Sequence, residues 1–598
     1  MKALNSHTLL GTLLGTLLVI LACAPSAQPA AAPAPAAPAA PAAPAAAPAP
    51  AKPAEPKVVA EKPRRGGTWR LGAEIFAAPP SLDNDRRGGA TVAILMNVSS
   101  CKLVMWDERP DRTPGLHENV IPDLAERWEN SADGKVWTFY LRKGVMLPPP
   151  LSREVTAEDI KRSILRRQNL VAGRGMANDM PWLFTDPTTG KLDKLKPNLE
   201  ILDKYTIRFT LTEVDADFLS QSGGHSGFTI HFVDYFEPTP DGWGDVKKPE
   251  NIRGCGPFMA SEYVVGSRFT FVRNPNYYNK ELPYLDAVEN RLIFETSVAA
   301  AALRSGQLDS WGQGISLPIS LAKELETAPG VQVKWEQPAW VWPWTLDLKN
   351  PPLDDVRVRR AIALALDRKS WIKDLYFGRG QNVVMMHVAG LEFWNLPPEK
   401  MGEAGKYFTT YDPEAAKKLL KEAGYPNGFS FTMLTSNAGA HVVANPMLEL
   451  SQAYLEAVGI KMKIDVMDYG AYQRVDHPVG GAKQGGLWRP NVSTWVYGLY
   501  HYQSTFEPQS GIPRFGKMYE TDPEYRKAVA LMEEQRRTID VKKRLELIHE
   551  LQRVWAQGLW TFHYPIPDTP VINTPKVRGY NPIPGWNGGT WKYVWLAE

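Results

Sequence analysis

Between Asp412 and Asp468 the chain twice sets a helix ahead of a strand. "DPEAAKKLLKEAGYPNGFSFTML" reads as a helix stopped at Gly424 and followed by a strand, and "LSQAYLEAVGIKMKIDVMD" repeats helix then strand. Neither element can bury its apolar face alone. Their alternation therefore predicts an α/β lobe with a substantial sheet.

The flanking sequence extends the pattern. "PLDDVRVRRAIALALDRKSWIKDLYFG" (352–378) predicts a helix with an acidic start and a second helical segment. "DPEYRKAVALMEEQRRTIDVKKRLELIHELQRVWAQ" (522–557) predicts a helical pair. Upstream, "GGTWRLGAE" alternates like an opening strand, and "KYTIRFTLTE" is another. "TAEDIKRSILRR" predicts a helix behind a Thr cap, "SVAAAALRSGQLD" a helix closed by Gly306, and 254–278 a strand, a turn and a strand. "PDLAERWENSADGKVWTFYLRKGV" (122–145) reads as a short helix, a turn at Asp133-Gly134, and a strand with Trp137, Phe139 and Leu141 on one face.

The amino terminus is of another kind. Lys2 is the only charge before an apolar run from Leu9 to Ala22, which has signal-peptide proportions and ends on a small residue before Cys23. Ile20-Leu21-Ala22-Cys23 resembles the lipobox of bacterial lipoproteins, which implies cleavage after residue 22 and lipidation of Cys23. An uncleaved anchor or an ordinary secretory signal is the alternative. Residues 23–57 are then a tether, almost wholly Ala and Pro after the cysteine. They bury nothing that could offset ordering entropy, and their limiting reach is on the order of 100 Å. The expected location is extracytoplasmic and lipid-anchored to the cell membrane.

What remains of the 598 residues is too long for one simple core, so two or more lobes are expected. A net charge of +3 with scattered Lys and Arg argues against a nucleic-acid partner. Besides Cys23 the chain holds Cys101 and Cys255. In an exported protein they form either a disulfide or two buried thiols. No CxxC, HExxH or paired-His spacing accompanies them, so neither a metal site nor a cofactor is expected. Twenty tryptophans is a high number. Several cluster, in "WVWPW" (340–344) and around "GGLWRPNVSTW" (485–495), with Tyr497, Tyr500 and Tyr502 beyond. Aromatic faces give a ligand cleft large contact area at low rotamer entropy, and they also fill cores.

The order of phrases carries a resemblance. "PDLAERWENSADGKVWTFYLRKGV" with "TAEDI", then "GCGPF…NPNYY", "ALRSGQLD", "DDVRVRRAIALALDR", and "YDPEAAKKLLKEAGYPNGF" with "YLEAVGIKMKIDV" resemble the bacterial extracellular solute-binding proteins of family 5, the oligopeptide, dipeptide and nickel type. The resemblance implies an α/β fold, a bilobed periplasmic-binding-protein-like clamshell with an extra subdomain on the first lobe. The expected division is 58–310 for the first lobe with an inserted subdomain at about 98–214, 311–564 for the second lobe, and 565–598 for a return to the first. It also implies capture of a peptide or other small solute between the lobes, with delivery to an ABC permease.

Three departures from the family pattern stand out. Cys255 replaces the usual Thr of the "GxGPF" block, and "MLPPPLSREV" replaces a Phe-x-Asp-Gly loop. Peptide binders of the family place an aspartate shortly after a second-lobe tryptophan. Here Asn491 is near that place, and no acidic residue occurs from His477 through Phe506. Arg489 would meet an anion or a carbonyl. Peptide stays the first expectation for the ligand, an oligosaccharide or other aromatic-stacked solute the second, and a metal chelate the third. The expected ligand-binding residues are Trp342, Trp344, Trp488, Arg489, Asn491, Trp495 and Tyr497.

The rival class is an exported hydrolase. "GGHSGF" (223–228) approaches a nucleophile elbow, but Phe228 stands where G-x-S-x-G needs its last glycine. No P-loop motif is present, and no internal repeat suggests a structural surface protein. A binder, with no enzymatic activity, is the expected class.

Overall fold

The computed structural model describes residues 61–73, 82–83, 96–107, 109, 120–170, 180–193, 196–223, 229–293, 295–311, 319–336, 343–348, 350–385, 393–436, 440–468, 471–472, 486–488, 516–581 and 588–598. Three larger sheets organise them, with three two-stranded ribbons besides. A seven-stranded sheet runs in the order Gln332–Glu336, Thr569–Asn573, Ser310–Trp311, Thr68–Ala73, Ala287–Leu292, Arg268–Arg273, Phe258–Val264. A five-stranded sheet runs Ile460–Met467, Phe429–Ser436, Gly486–Trp488, Pro343–Leu346, Thr561–His563. A four-stranded antiparallel sheet runs Ala125–Asn130, Val136–Leu141, Thr206–Thr210, Leu199–Asp203.

The seven-stranded sheet buries the alternate residues Trp69, Leu71, Phe269, Phe271 and Val288 on one face. Trp591 and Tyr580 close over them, each edge-on to Trp69 with ring centroids 5.8 and 4.8 Å away. The carboxyl-terminal segment thus packs against the opening strand. In the five-stranded sheet, helices Pro413–Glu422 and Ala440–Glu456 precede the strands Phe429–Ser436 and Ile460–Met467, which lie side by side and parallel. Gly424 has φ +92° where the first helix ends, a conformation that costs glycine little. The helix–strand alternation is realised twice here.

The stretch expected to open with a helix at Pro122 is a hairpin instead. Ala125–Asn130 pairs antiparallel with Val136–Leu141, Trp128 opposite Phe139, with an irregularity between Ala125 and Arg127. Ala, Glu and Arg favour a helix locally, but Val136–Leu141 offers this edge strand a hydrogen-bond ladder along one side, and strand formation is decided by such partners. Phe139 and Leu141 are buried as expected, with Trp137 half-buried. The helix Ala157–Leu170 begins as predicted: Asp159 accepts the Thr156 backbone N–H at 2.8 Å, one half of a capping box.

A second correction concerns the chain beyond residue 310. Gln332–Glu336 is hydrogen-bonded into the seven-stranded sheet through Thr569–Asn573. The chain therefore leaves that sheet after Glu336, past the expected 310/311 boundary.

Cys101 and Cys255 are both buried, with Cα atoms 5.2 Å apart, within the span of a disulfide. The glycines of the "GCGPF" block explain the approach. A Cβ on Gly256 would sit 2.6 Å from the Ser100 carbonyl oxygen, and the Gly256 N–H donates to Ser99 at 3.0 Å. The Gly-x-Gly spacing lets one backbone lie directly against the other.

Candidate ligand cleft

Strand direction picks out the candidate cleft. In the seven-stranded sheet Thr68–Ala73 is parallel to Ala287–Leu292 and to Ser310–Trp311, while Thr569–Asn573 is antiparallel to both Ser310–Trp311 and Gln332–Glu336. The carboxyl ends at Ala73, Leu292, Trp311 and Glu336 therefore share one edge, where Thr569 enters. In the five-stranded sheet Phe429–Ser436 is parallel to Ile460–Met467 and Gly486–Trp488, and Pro343–Leu346 is antiparallel to Gly486–Trp488 and Thr561–His563. Ser436, Met467, Trp488 and His563 share an edge, where Pro343 enters. The chain passes from one sheet to the other after Glu336 and again after His563. Both passages join the two carboxyl edges, where open α/β sheets take their ligands.

Two of the expected site residues fall within described strands. Trp344 pairs with Trp488 across the sheet and with Phe562 on its other side. Trp344 is only 1% exposed and meets Tyr564 edge-on at 5.3 Å, which in turn meets Trp371 at 4.7 Å. These are core contacts, and they account for Trp344 without any ligand. Trp488 is the last residue of its strand, at the carboxyl edge. Trp342, Arg489, Asn491, Trp495 and Tyr497 lie outside the described residues, as do Cys23 and residues 224–228 of the Gly-rich "GGHSGF" stretch.

The edge also holds polar groups that the sequence did not single out. Thr435 and Ser436, both fully buried, end their strand beside Asn445, whose side chain accepts from the Thr435 hydroxyl at 2.8 Å and donates to the Ser436 carbonyl at 3.2 Å. His563 is buried, and burial pushes its imidazole down to about 3, so it is neutral across the physiological range. On the passage to Thr569, burial raises the Asp568 carboxyl, with Arg379 acting against it, and the Asp568 N–H donates to the Arg379 carbonyl at 3.2 Å. The only signal for these residues in the sequence is a small polar residue at a strand end, too common to select them. Among the described residues no group of His, Cys, Asp and Glu is arranged to hold a metal ion, and no helix is long and apolar enough to cross a membrane.

Residues 119–534 match the family described as bacterial extracellular solute-binding proteins, family 5. The dipeptide-binding protein of Escherichia coli K12 is 29% identical over 369 residues, 59% of this chain and 64% of the relative. Heme-binding protein A of Haemophilus influenzae is 30% identical over 381 residues, 62% of this chain and 65% of the relative. The chain thus spans just under two thirds of the length of these two relatives. Among solved structures, the periplasmic binding protein DppA of Helicobacter pylori, in complex with the peptide STSA, superposes with a TM-score of 0.68 at 24% identity, covering 90% of this chain and 99% of that one. NikA of Brucella suis, in complex with Fe(III)-EDTA, gives 0.69 at 18% identity, covering 88% of this chain and 100% of the other. The shared fold is the bilobed α/β clamshell.

Proposed function

From a chain that belongs to family 5 of the bacterial extracellular solute-binding proteins, we propose a substrate-binding protein that captures a peptide-like solute between two closing lobes and hands it to an ABC permease. The observation that carries this reading is the pair of carboxyl edges joined by two chain passages. The seven-stranded sheet, with the four-stranded sheet as its subdomain, forms the first lobe in this reading. Residues 343–563 form the second, and Thr569–Asn573 belongs to the return.

The mechanism follows from a ligand shared by two lobes. Closure is driven only by the ligand's extra affinity for the closed state. Moving the equilibrium from 1:99 to 99:1 takes about 5.5 kcal/mol of differential affinity, within reach of a few aromatic stacks and hydrogen bonds. Trp342, Trp488, Arg489, Asn491, Trp495 and Tyr497 are the proposed ligand contacts. Lipidation at Cys23 would hold the body near the permease on its Ala/Pro tether. Each buried acyl CH₂ contributes about 0.8 kcal/mol to that anchoring.

A second reading, an oligosaccharide or another aromatic-stacked solute on the same fold, is favoured by the lack of any acidic residue from His477 through Phe506. A free α-amino group would have no counter-ion in that segment. A thermal-shift screen of the purified protein across peptides, sugars and metal chelates tests both readings. A rise in melting temperature with peptides supports the first, and a rise with sugars alone replaces it with the second. Consumption of the stabilising compound would make the chain a hydrolase and end both.

A further inference from the structure

Away from the cleft, the subdomain meets the helical pair of the second lobe through a concentrated set of opposite charges. The subdomain contributes "EVDAD", residues 213–217, which directly follows its strand Thr206–Thr210. The partner is the connection between helices Pro523–Arg536 and Val541–Gly558. Arg536 and Arg537 each bring Nη2 to 2.9 Å from Glu213 Oε2, and Glu533, one turn earlier, shares both arginines at 3.2 and 2.8 Å. Arg544 approaches Asp217 at 2.7 Å, off the hydrogen-bonding direction. The backbone joins in: the Ala216 N–H donates to the Arg536 carbonyl at 2.8 Å, and Arg536 Nη1 donates to the Val214 carbonyl at 3.3 Å. Arg536 also lies 4.2 Å from the Trp182 ring centre, and the hairpin turn at Gly134 rests against Ile539.

The inner groups are out of water, while the outer pair, Arg537 and Glu213, is half in it, at 50% and 47% exposed. The side chains of Arg536 and Arg544 are 4% and 5% exposed, and Asp215 between the pairs is 1% exposed. Buried ion pairs cost desolvation that only good geometry offsets, and breaking one side is expensive. Such a contact is a poor general stabiliser but a strong determinant of which arrangement two bodies adopt. Its two sides are 323 positions apart in sequence, so nothing local obliges it to form.

We propose that Glu213 and Asp217 with Arg536, Arg537 and Arg544 form an electrostatic latch, closed around the buried Asp215, that engages when the lobes close and disengages when they part, setting the closing equilibrium alongside the ligand. This rests on the clamshell reading above but not on any ligand class.

The latch carries a pH dependence. Burial, and then the charge of Asp217, raise the Asp215 carboxyl to about 7, against the attraction of Arg536 and Arg544 and the N–H of Asp217. Gln221 Nε2 also reaches it, at 3.2 Å. Once the lobes part and water reaches the stretch, that carboxyl returns toward the ordinary value of about 4. The engaged state therefore holds the proton more tightly, and engagement weakens as pH rises from about 4 to about 7. Glu213 sets the acid limit. Burial raises its carboxyl, but the Arg536 hydrogen bond and the charges of Arg537 and Arg536 outweigh it and hold it below its usual value. Its contribution is lost as pH falls through that depressed value.

The experiment measures the distance between spin labels on the two lobes of the ligand-free, full-length folded body, at Val265→Cys and Lys463→Cys, by pulsed electron resonance. Glu213→Lys should move the distribution to longer distances, Glu213→Gln should do so by a smaller shift, and the parent should lengthen between pH 5 and pH 8. The exposed pair of Arg208 and Glu200 within the four-stranded sheet, 3.3 Å apart, serves as control, with Glu200→Gln leaving the distribution unchanged. Melting temperature is followed in each variant, and Glu213→Gln decides the matter if the charge reversal fails to fold. Unchanged distances in both folded Glu213 variants would overturn the latch, even if solute binding is intact. Lengthened distances establish it even if no solute is found.

Discussion

Arg379 lies 2.8 Å from Glu326, and its guanidinium sits 4.6 Å from the ring centre of Trp335, whose indole N–H donates to the same carboxylate. Glu326 directly follows the helix Ile319–Leu325, which flanks the seven-stranded sheet, and Arg379 follows the helix Arg368–Asp374, whose Trp371 packs with Tyr564 behind the five-stranded sheet. One cation thus connects the two sheet systems next to the passage from His563 to Thr569. Its partners are partly exposed, 35% for Arg379 and 20% for Glu326, so solvent screening limits its worth.

A double-mutant cycle of Arg379→Ala and Glu326→Ala should accordingly give a coupling of about 0.5–1 kcal/mol by denaturant unfolding. A coupling indistinguishable from zero would mean that the pair is held in place by Trp335 and contributes nothing of its own.

Trp344 and Trp488 should behave differently although they are register partners. Trp344→Ala removes a core ring and should cost ~3–5 kcal/mol of stability. Trp488→Ala and Trp495→Ala should instead weaken ligand binding with melting nearly intact, each stacked ring contributing ~1 kcal/mol beyond its buried area. Melting curves and titration calorimetry separate the two effects. Collapse of the Trp488→Ala variant with affinity preserved in the surviving fold would return that residue to the core.

Cys101 and Cys255 should be bonded in the exported protein, as their 5.2 Å Cα separation allows. Mass spectrometry of an unreduced digest reads this directly. Cys101→Ser should then lower stability by about 2–4 kcal/mol, and free alkylation of both thiols in the native preparation would refute the bond.

Cys23→Ser should release the protein from the membrane fraction. Retention of the variant, with no lipid mass on the mature amino terminus of the parent, would leave the lipobox reading without support.

Much of the second lobe was legible because its signals are local. The stop at Gly424 and the twofold helix-then-strand order are properties of the covalent chain, and the structure contains both. The same holds for the Thr156 helix start and for the alternation that buries Phe139 and Leu141. Of the cleft, only the position of Trp488 at a strand end can be compared directly, since the other proposed contacts apart from Trp344 lie outside the described residues. "AERWEN" has the composition of a helix and forms a strand. The strand that captures it is a neighbour whose pairing no window of that length contains.

The sequence by itself determined the α/β class, the family and the helix-then-strand order of the second half, since these rest on periodicity, caps and phrase order within short spans. Tertiary structure alone decided membership of the sheets. Gln332–Glu336 joined the first sheet through a strand more than two hundred residues later, and Trp344 became core through Tyr564 and Trp371. It also decided that Glu213 meets Arg536 across 323 positions. Hydrogen-bond ladders, ring packing and buried ion pairs act on distance in space. A periodic pattern states which face of an element is apolar, but not which partner covers it.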